Sequence, residues 1–540
     1  MKPLAKPATQ VVKDGKLKFY PDRWTKVYLN WMENIEDWCI SRQIWWGHRI
    51  PVWYCGDCTD DRPPEGAVQS GAAPLPHAIV SKTTPAKCDK CGSAKLKQDE
   101  DVLDTWFSSW LWPFSTLGWP AKTPDLDYFY PTNTLVTAQE IIFFWVARMV
   151  MAGFYCMKET PFTDVYIHGT VRDITGKKMS KSLGNSIDPL SVIEKVGTDA
   201  LRYTLVTATA IGQDVFLSDE RFTVGRNFAN KLWNATRFMV SQPGWQVVKN
   251  PHSGLNRDRL SLSDRWILSR LNKTIIRVTG AIDDYQFNDA ANGIYDFLWR
   301  DFCDWYLEIA KVQISQDKAE TTLRVLWHAL DAALRLLHPI MPFVTEELWQ
   351  RIGELAGQPA EKQTIMRAEW PKQDSYDDDP AAETEMETLQ AIVSAVRAMR
   401  SELHVPADSR PDLYLATPNA QAATAATNQE SLLRALTQSG KVHVDAQRPK
   451  DAAAAVVHGV EVLLPLAGLV DAAQERVRLS QRVDQLAKQL AGTEARLGNN
   501  EFTSKAPPEI LEGAKAQQRE LVDALKKTRA YLATVEAMSK

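Results

Sequence analysis

From Leu135 to Met157 the chain is an almost unbroken apolar run, and the state of that run constrains everything around it. As a membrane span it would tie the chain to lipid. As a core helix it needs a globular body large enough to bury it. Glu140 and Arg148 lie inside the run, and each would cost about 2.5–3.5 kcal/mol near a bilayer centre. Their separation along an α-helix puts them on one face. The run therefore reads as a buried helix with a functional polar edge, and no membrane partner is expected.

At 540 residues the chain exceeds what one hydrophobic core supports, so three or more domains are expected. A hydrophobic content of 44% excludes a disordered chain. The formal charge of −4 carries no global nucleic-acid signature, so any RNA contact must use local basic patches. Eleven of the 19 tryptophans fall in the first third. No Arg-rich presequence or charged-then-apolar signal opens the chain, which points to a cytoplasmic location.

Alternation suited to an α/β domain runs through the middle of the first half. Leu135 to Thr137 and Val165 to Ile167 read as strands, and Ile141 to Met151, Ile187 to Val206 and Phe222 to Ser241 as helices. Residues from about 260 to 355 look all-helical. Ser263 is the expected N-cap, with Ile267, Leu268, Leu271, Ile275 and Val278 following at helical spacing. A second stripe runs through Ile294, Phe297, Leu298, Trp305 and Ile309, and both stripes read as bundle core. His338 to Pro342 breaks the pattern. Glu369 to Pro380 is a Pro/Asp-rich linker, and residues 381 to 465 read as a small α/β module. Near the end, Leu479, Val483, Leu486, Leu490, Thr493 and Leu497 form one heptad series. Ile510, Ala514, Gln517, Leu521, Leu525, Thr528, Leu532 and Val535 form another. The breaker-rich segment Gly498 to Pro508 between them predicts an antiparallel coiled-coil hairpin rather than a dimerisation coil.

Cys55-Gly56-Asp57-Cys58 and Cys88-Asp89-Lys90-Cys91 are two Cys-x-x-Cys knuckles. Four thiolates close a tetrahedral Zn²⁺ site, and the loop-like segment between them has little core of its own, so metal would supply folding energy. All four positions would be filled by protein, which makes the expected zinc structural. His77 reads as plain loop, and Cys39, Cys156 and Cys303 as buried apolar residues.

Lys178-Met179-Ser180-Lys181-Ser182 lies in a Gly-punctuated loop with two cations and two hydroxyls close together. That is the donor set a developing pyrophosphate needs, on a loop able to close. Followed by Gly197-Thr198-Asp199-Ala200-Leu201-Arg202-Tyr203, the string resembles the signature loop of class I aminoacyl-tRNA synthetases. Asn34 to Pro51, Asp101 to Ser109, Ile141 to Met149 and the terminal hairpin with Asn500 to Pro507 resemble one of them, the valyl-tRNA synthetase (valine–tRNA ligase) family. Isoleucine and leucine enzymes share the loop but are not expected to end in this hairpin.

The resemblance implies a multidomain α/β plus α fold. Residues 1–54 would return from an editing insertion into the catalytic domain, 55–100 would form a zinc-knuckle insertion, and 101–225 the second half of a Rossmann-like catalytic domain. Residues 226–378 would form an α-helical anticodon-binding domain, 379–465 the small module, and 466–540 the tRNA-binding hairpin. It implies ATP with Mg²⁺, valine and tRNA(Val) as substrates, a structural Zn²⁺ on Cys55, Cys58, Cys88 and Cys91, and a monomer. Lys178 and Lys181 would be catalytic on the triphosphate, with Met179, Ser180, Ser182, His168 and Gly169 also at ATP. Trp106, Ile141 and Trp145 would wall the valine pocket. Glu140 stands where the family usually has Asp, and would hold the ammonium unless it pairs internally with Arg148. Arg482, Lys505 and Arg519 would meet tRNA.

The family's His-x-Gly-His motif is not found in the 540 residues. The chain thus reads as the C-terminal half of such a ligase, completed by a separate N-terminal half or truncated from a longer protein, and inactive alone in adenylation. A non-catalytic tRNA-binding protein derived from a synthetase is the alternative, as is an isoleucine- or leucine-specific enzyme.

Overall fold

The computed structural model describes the chain except for residues 60–75, 211, 246–254, 316–317, 356–363, 375–377, 446, 467–471, 500–507 and 539–540, and the side chains of Lys181, Ala472, Pro508, Glu509, Ala537 and Met538. Two compact units result: Met1–Ser191 with Thr204–Arg221 and Ala281–Asn288, and Val192–Tyr203 with Phe222–Gly280 and Asp289–Lys540.

The first unit is built on a parallel sheet in which Asp164–His168 lies between Lys18–Tyr20 and Thr134–Ala138. Val165 pairs with Phe19 on one side and Leu135 on the other. Val165, Tyr166 and Ile167 are all buried, as expected for a parallel strand covered on both faces. Cover on one side comes from the helix Lys2–Lys13, whose Ala5, Ala8, Val11 and Val12 form a small-residue stripe. They join one core with Tyr28, Met32, Ile142, Val146, Met149 and Val150. Tyr28 is fully buried and its hydroxyl donates to the Ala8 carbonyl at 3.1 Å.

The apolar run forms the helical segment Gln139–Met157. It is the one described helix long and apolar enough to cross a membrane, and half of it is buried inside protein. Ile142, Val146, Ala147 and Met149 to Ala152 are wholly inaccessible. The segment is not a uniform α-helix. A turn Gln139–Ile141 leads into a π-helical turn Ile142–Val146, then α-helix Ala147–Ala152 and a second π turn Gly153–Met157. Wider π turns shift the angular register along it, and Glu140 is exposed while Arg148 is buried.

Ahead of that helix, Val52–Thr59 pairs antiparallel with Pro76–Val80 and Leu96–Gln98. Of the segment between the knuckles expected to be loop, residues 60–75 fall outside the described residues and Pro76–Val80 is a strand. Few residues of the sheet and its knuckles are buried: Trp53, Cys55 and Cys88 carry most of the interior. Of the lone cysteines, Cys303 is buried as expected and Cys156 is half-buried, but Cys39 is exposed.

The second unit opens with Val192–Tyr203, which includes the start of a helix that follows Gly197. The single helix expected over Ile187 to Val206 is two, Pro189–Val196 and Thr198–Ala208, because Gly197 sits at φ +90°. Asp199 accepts from the Phe343 and Val344 amides at 3.2 and 2.6 Å and so caps the helix Pro342–Leu355. Long helices Asp219–Val240, Leu262–Asp283 and Ala319–Leu337 supply most of the helical core. The N-cap of Leu262–Asp283 is Ser261 rather than Ser263. The Ser261 hydroxyl accepts from the Asp264 amide at 3.2 Å while Asp264 accepts from the Ser261 amide at 2.8 Å, a reciprocal capping box. Ser263 is instead buried and bonded by Gln313 at 2.8 Å.

Residues 380–465 hold the helices Pro380–Glu402, Ala420–Asn428 and Glu430–Thr437, with a mixed four-stranded sheet. Its order is Val442–Val444, Leu413–Ala416, Val460–Pro465, Ala452–Val457. Two last helices, Ala472–Gly498 and Pro508–Met538, pack along each other. Gln518 reaches Glu494 near their connection, and Arg478 and Tyr531 both lie at Glu402 near the other end, so the two run antiparallel. Leu479, Leu486, Ala514, Leu525 and Val535 of the heptad series are buried, whereas Ile510 and Gln517 are exposed and Tyr531, outside the series, is buried.

Candidate functional site

Parallel strands present their ligands at their carboxyl ends, where the next segments begin. Here the strand Thr134–Ala138 runs into Gln139–Ile141, and Asp164–His168 runs into Gly169 and the Lys178 loop. Arg23, Gln139, His168, Gly169, Gly212 and Asp214 line a cleft of about 170 Å³ there. Complete small-molecule sites occupy about 300–1,000 Å³, so this cleft is smaller than a complete site. His168 is exposed beside it. Gly169 is required by close approach: a Cβ would sit 1.8 Å from the Gln213 carbonyl oxygen.

Beyond Gly169, Val171–Arg172 pairs in parallel with Val215–Phe216. Asp214 fastens this join, accepting from the Thr170 amide at 2.9 Å and from Arg172, and these contacts hold its carboxyl below the usual range. The loop then folds on Asp173 and Asn185. Asp173 accepts from the Thr175 hydroxyl and amide at 2.7 and 2.9 Å, from the Lys177 amide at 3.0 Å and from Asn185 at 2.8 Å. Asn185 in turn accepts from the Ser180 amide at 3.0 Å, and the Ser180 and Ser182 hydroxyls lie 3.1 Å apart. The Thr175 and Asn185 hydrogen bonds hold the Asp173 carboxyl at about 2. A depressed carboxyl contributes order above the ordinary carboxylate value near 3.9 and loses it as pH falls through about 2. Acid titration followed by carbon NMR of the Asp173 carboxyl is expected to show that midpoint, and a midpoint at the ordinary value would contradict it.

Glu140 does not pair with Arg148. Its Oε1 lies 3.3 Å from Lys178 Nζ, with both side chains about half exposed. Its own amide and then Lys178 hold its carboxyl below the usual value. Such an exposed pair contributes under about 1 kcal/mol, so it is easily exchanged for another partner. Of Lys181 only the backbone is described, in the turn Lys181–Leu183.

Arg148 finds a different acid. Asp104, buried in the segment Asp101 to Ser109, accepts from Trp38 Nε1 at 2.9 Å and Arg42 Nη2 at 2.7 Å, and Arg148 Nη1 lies 3.8 Å away. The Arg148 guanidinium lies over the Trp38 ring at 3.6 Å. Its Nε and Nη1 have no hydrogen-bond partner among the described residues. That costs about 1–3 kcal/mol, which desolvated stacking on an indole offsets by about 2 kcal/mol. Burial pulls its ionisation below the ordinary value and Asp104 opposes this. Asp104 lies in the segment Asp101 to Ser109 that carries the family resemblance, but nothing in its immediate sequence singles it out from Asp101 as the acid for Arg148. Trp106, Ile141 and Trp145 are all half-buried, and Trp106 stacks on Phe144 at 5.8 Å and 22°.

The four knuckle cysteines converge. Their Sγ atoms all lie within 4.8 Å of one another, with Cys55 to Cys91 and Cys58 to Cys88 both at 3.6 Å. Zn–S bonds of about 2.3 Å put the corners of a tetrahedron about 3.8 Å apart, so the donor set fits zinc. His77 is not plain loop. It lies in the strand Pro76–Val80 and its Nε2 meets Asp89 of the second knuckle at 2.6 Å. On the last two helices Arg482 is exposed and bonded to Gln485 at 2.7 Å, Arg519 is exposed, and Lys505 falls outside the described residues.

Three family models match the chain: tRNA synthetases class I (I, L, M and V) over residues 1–218, anticodon-binding domain of tRNA ligase over 264–415, and valyl tRNA synthetase tRNA binding arm over 471–536. The valine–tRNA ligase of Thermotoga maritima is 46% identical across 95% of the chain, and that of Symbiobacterium thermophilum 42% identical across all of it. The chain spans 56% and 59% of those relatives' own lengths. Among solved structures, an Agrobacterium radiobacter LeuRS in a complex with tRNA and LeuAMS aligns over 69% of this chain and 49% of that one, at 21% identity and TM-score 0.49. A Mycobacterium tuberculosis methionyl-tRNA synthetase with methionyl-adenylate aligns over 67% and 65%, at 20% identity and TM-score 0.48.

Proposed function

The chain belongs to the valyl-tRNA synthetase family of class I tRNA synthetases, and from that premise we propose that it supplies the signature-loop half of a valine-activating site together with the tRNA-binding parts of the ligase. In the complete reaction the valine carboxylate attacks the α-phosphate of ATP, pyrophosphate leaves, and the terminal ribose hydroxyl of tRNA(Val) then takes the valyl group. Positioning and charge stabilisation dominate such chemistry. Lys178 and Lys181, with Met179, Ser180 and Ser182, face the triphosphate and its Mg²⁺. His168 and Gly169 border the nucleotide cleft, Trp106, Ile141 and Trp145 wall the aliphatic pocket, and Glu140 holds the ammonium. Cys55, Cys58, Cys88 and Cys91 hold a structural zinc. The antiparallel pair Ala472–Gly498 and Pro508–Met538 acts as a coiled-coil arm on tRNA through cations such as Arg482, Lys505 and Arg519.

The observation that carries this reading is the 3.3 Å approach of Lys178 to Glu140 at the strand ends. Amino acid activation needs an ammonium-holding carboxylate and a phosphate-holding cation on either side of one reacting pair. The loop places these two groups together, and substrates entering between them would separate a weak ion pair at little cost.

The experiment uses the 540-residue chain. It is expected to bind tRNA with an affinity that falls steeply with salt. Because no His-x-Gly-His string occurs in it, it is expected to give no valine-dependent ATP–pyrophosphate exchange above background. Exchange by the chain alone would refute the half-site reading, and absence of tRNA binding would refute the tRNA role. In an active assembly, Glu140→Gln is expected to weaken valine binding; unaltered affinity would remove Glu140 from the ammonium site.

A further inference from the structure

The short helix Thr105–Ser109 is held at both ends by the residues around the pocket. At its start Asp104 Oδ1 accepts from the Trp106 amide at 3.3 Å. At its end Trp145 Nε1 donates to the Ser109 carbonyl at 3.0 Å. Trp106 is therefore gripped at its backbone by Asp104, and the second wall, Trp145, is tied to the same helix.

The Trp106 ring is gripped through a separate route. It stacks on Phe144, and the Arg148 guanidinium lies 5.8 Å from the Phe144 ring centre and 3.6 Å from that of Trp38. Arg148 returns to Asp104 at 3.8 Å, and Trp38 donates to Asp104 at 2.9 Å. The result is a closed circuit from Asp104 through the Trp106 backbone, its ring, Phe144 and Arg148, back to Asp104. Two of the three Arg148 nitrogens are buried without a hydrogen-bond partner among the described residues. A cation that merely filled a core would be replaced at less cost by an apolar chain; this one bridges a carboxylate and two aromatic faces.

We propose that Asp104 and Arg148 are positioning residues that hold the Trp106 indole and, through it, set the width of the aliphatic side-chain pocket. This rests on the reading of Trp106 as a wall of that pocket. One methylene in an apolar pocket is worth only about 10- to 200-fold in discrimination, so a small displacement of a wall changes which branched side chain is accepted. Asp104 supplies both the helix cap and the counter-charge. Arg148 supplies a flat cation that lysine cannot reproduce.

The test is fluorine NMR of the full 540-residue chain labelled with fluorotryptophan, the Trp106 line being assigned with Trp106→Phe. Asp104→Asn and Arg148→Lys are each expected to move and broaden the Trp106 line. The line of Trp245, buried in the helical unit, is expected to stay in place. A generally loosened fold would disturb both lines. Should Asp104→Asn fail to fold, Arg148→Lys decides. An unmoved Trp106 line in the folded variants overturns the proposal. Added valine tests the underlying pocket reading separately. A shift of the wild-type Trp106 line supports that reading, and no shift counts against Trp106 as a wall while the variants still decide whether Asp104 and Arg148 position it.

Discussion

Chelation, or Cys88→Ser, is expected to strip a single zinc from the chain and to unfold the sheet of Val52–Thr59, Pro76–Val80 and Leu96–Gln98, while the helical core around Ala319–Leu337 stays protected. The four thiolates converge within 4.8 Å, and little apolar surface beyond Trp53 lies inside this sheet. Three short strands without a substantial hydrophobic face are not stable alone, so a metal bound there would carry most of their order. Structural zinc contributes about 10–16 kcal/mol in small zinc-finger peptides. Part of that is expected here, because strands Ser41–Arg42 and Val102–Leu103 already tie the segment to the rest of the unit. Metal analysis with amide exchange measures it. Metal-free protein with undiminished protection at Val52–Thr59 would count against a structural metal.

The second large effect is expected at Gly169. A carbon atom normally stays about 3.3 Å or more from a carbonyl oxygen, and the Cβ of Gly169→Ala would lie 1.8 Å from that of Gln213. The obstacle is backbone, which cannot rotate away. The pairing of Val171–Arg172 with Val215–Phe216 and the Asp214–Arg172 contact must open instead. The expected destabilisation exceeds about 4 kcal/mol, a size reserved for steric and core disruptions. Because the loop Asp173 to Asn185 hangs from this join, tryptic cleavage at Lys177 and Lys178 is expected to accelerate at least about tenfold, each 1.4 kcal/mol of local opening being worth that factor. Unchanged cleavage kinetics would show that the join tolerates the methyl group.

Much of the proposed site was legible because it is written locally. Two Cys-x-x-Cys turns each set the spacing of two ligands within four residues. The Lys178 to Ser182 string states its own donor set. Helical stripes state which face is buried, and Ile267, Leu268, Leu271, Ile275 and Val278 are all in the core. The strands Thr134–Ala138 and Asp164–His168 were recognisable from short apolar runs.

Other features were not legible, each for a definite reason. Lys18–Tyr20 is a three-residue strand, too short to show a period, yet it is half of the pairing around Asp164–His168. The N-cap moved from Ser263 to Ser261 because both serines precede the apolar stripe and only the reciprocal bond with Asp264 distinguishes them. Cys39 is exposed although its residue type is usually buried. Two π turns in Gln139–Met157 leave no trace in composition.

By itself the sequence determined the two Cys-x-x-Cys turns, the cation- and hydroxyl-rich loop, the helical stripes and the family, because each is a pattern of neighbours along the chain. Only the tertiary structure decided which acid each cation meets. Arg148 lies among aromatic rings with Asp104, because a buried charge takes the partner that folding brings within reach, and the exposed Glu140 meets Lys178 where the loop brings it near. Those partners come from segments 44 and 38 residues away, and no local period encodes such distances.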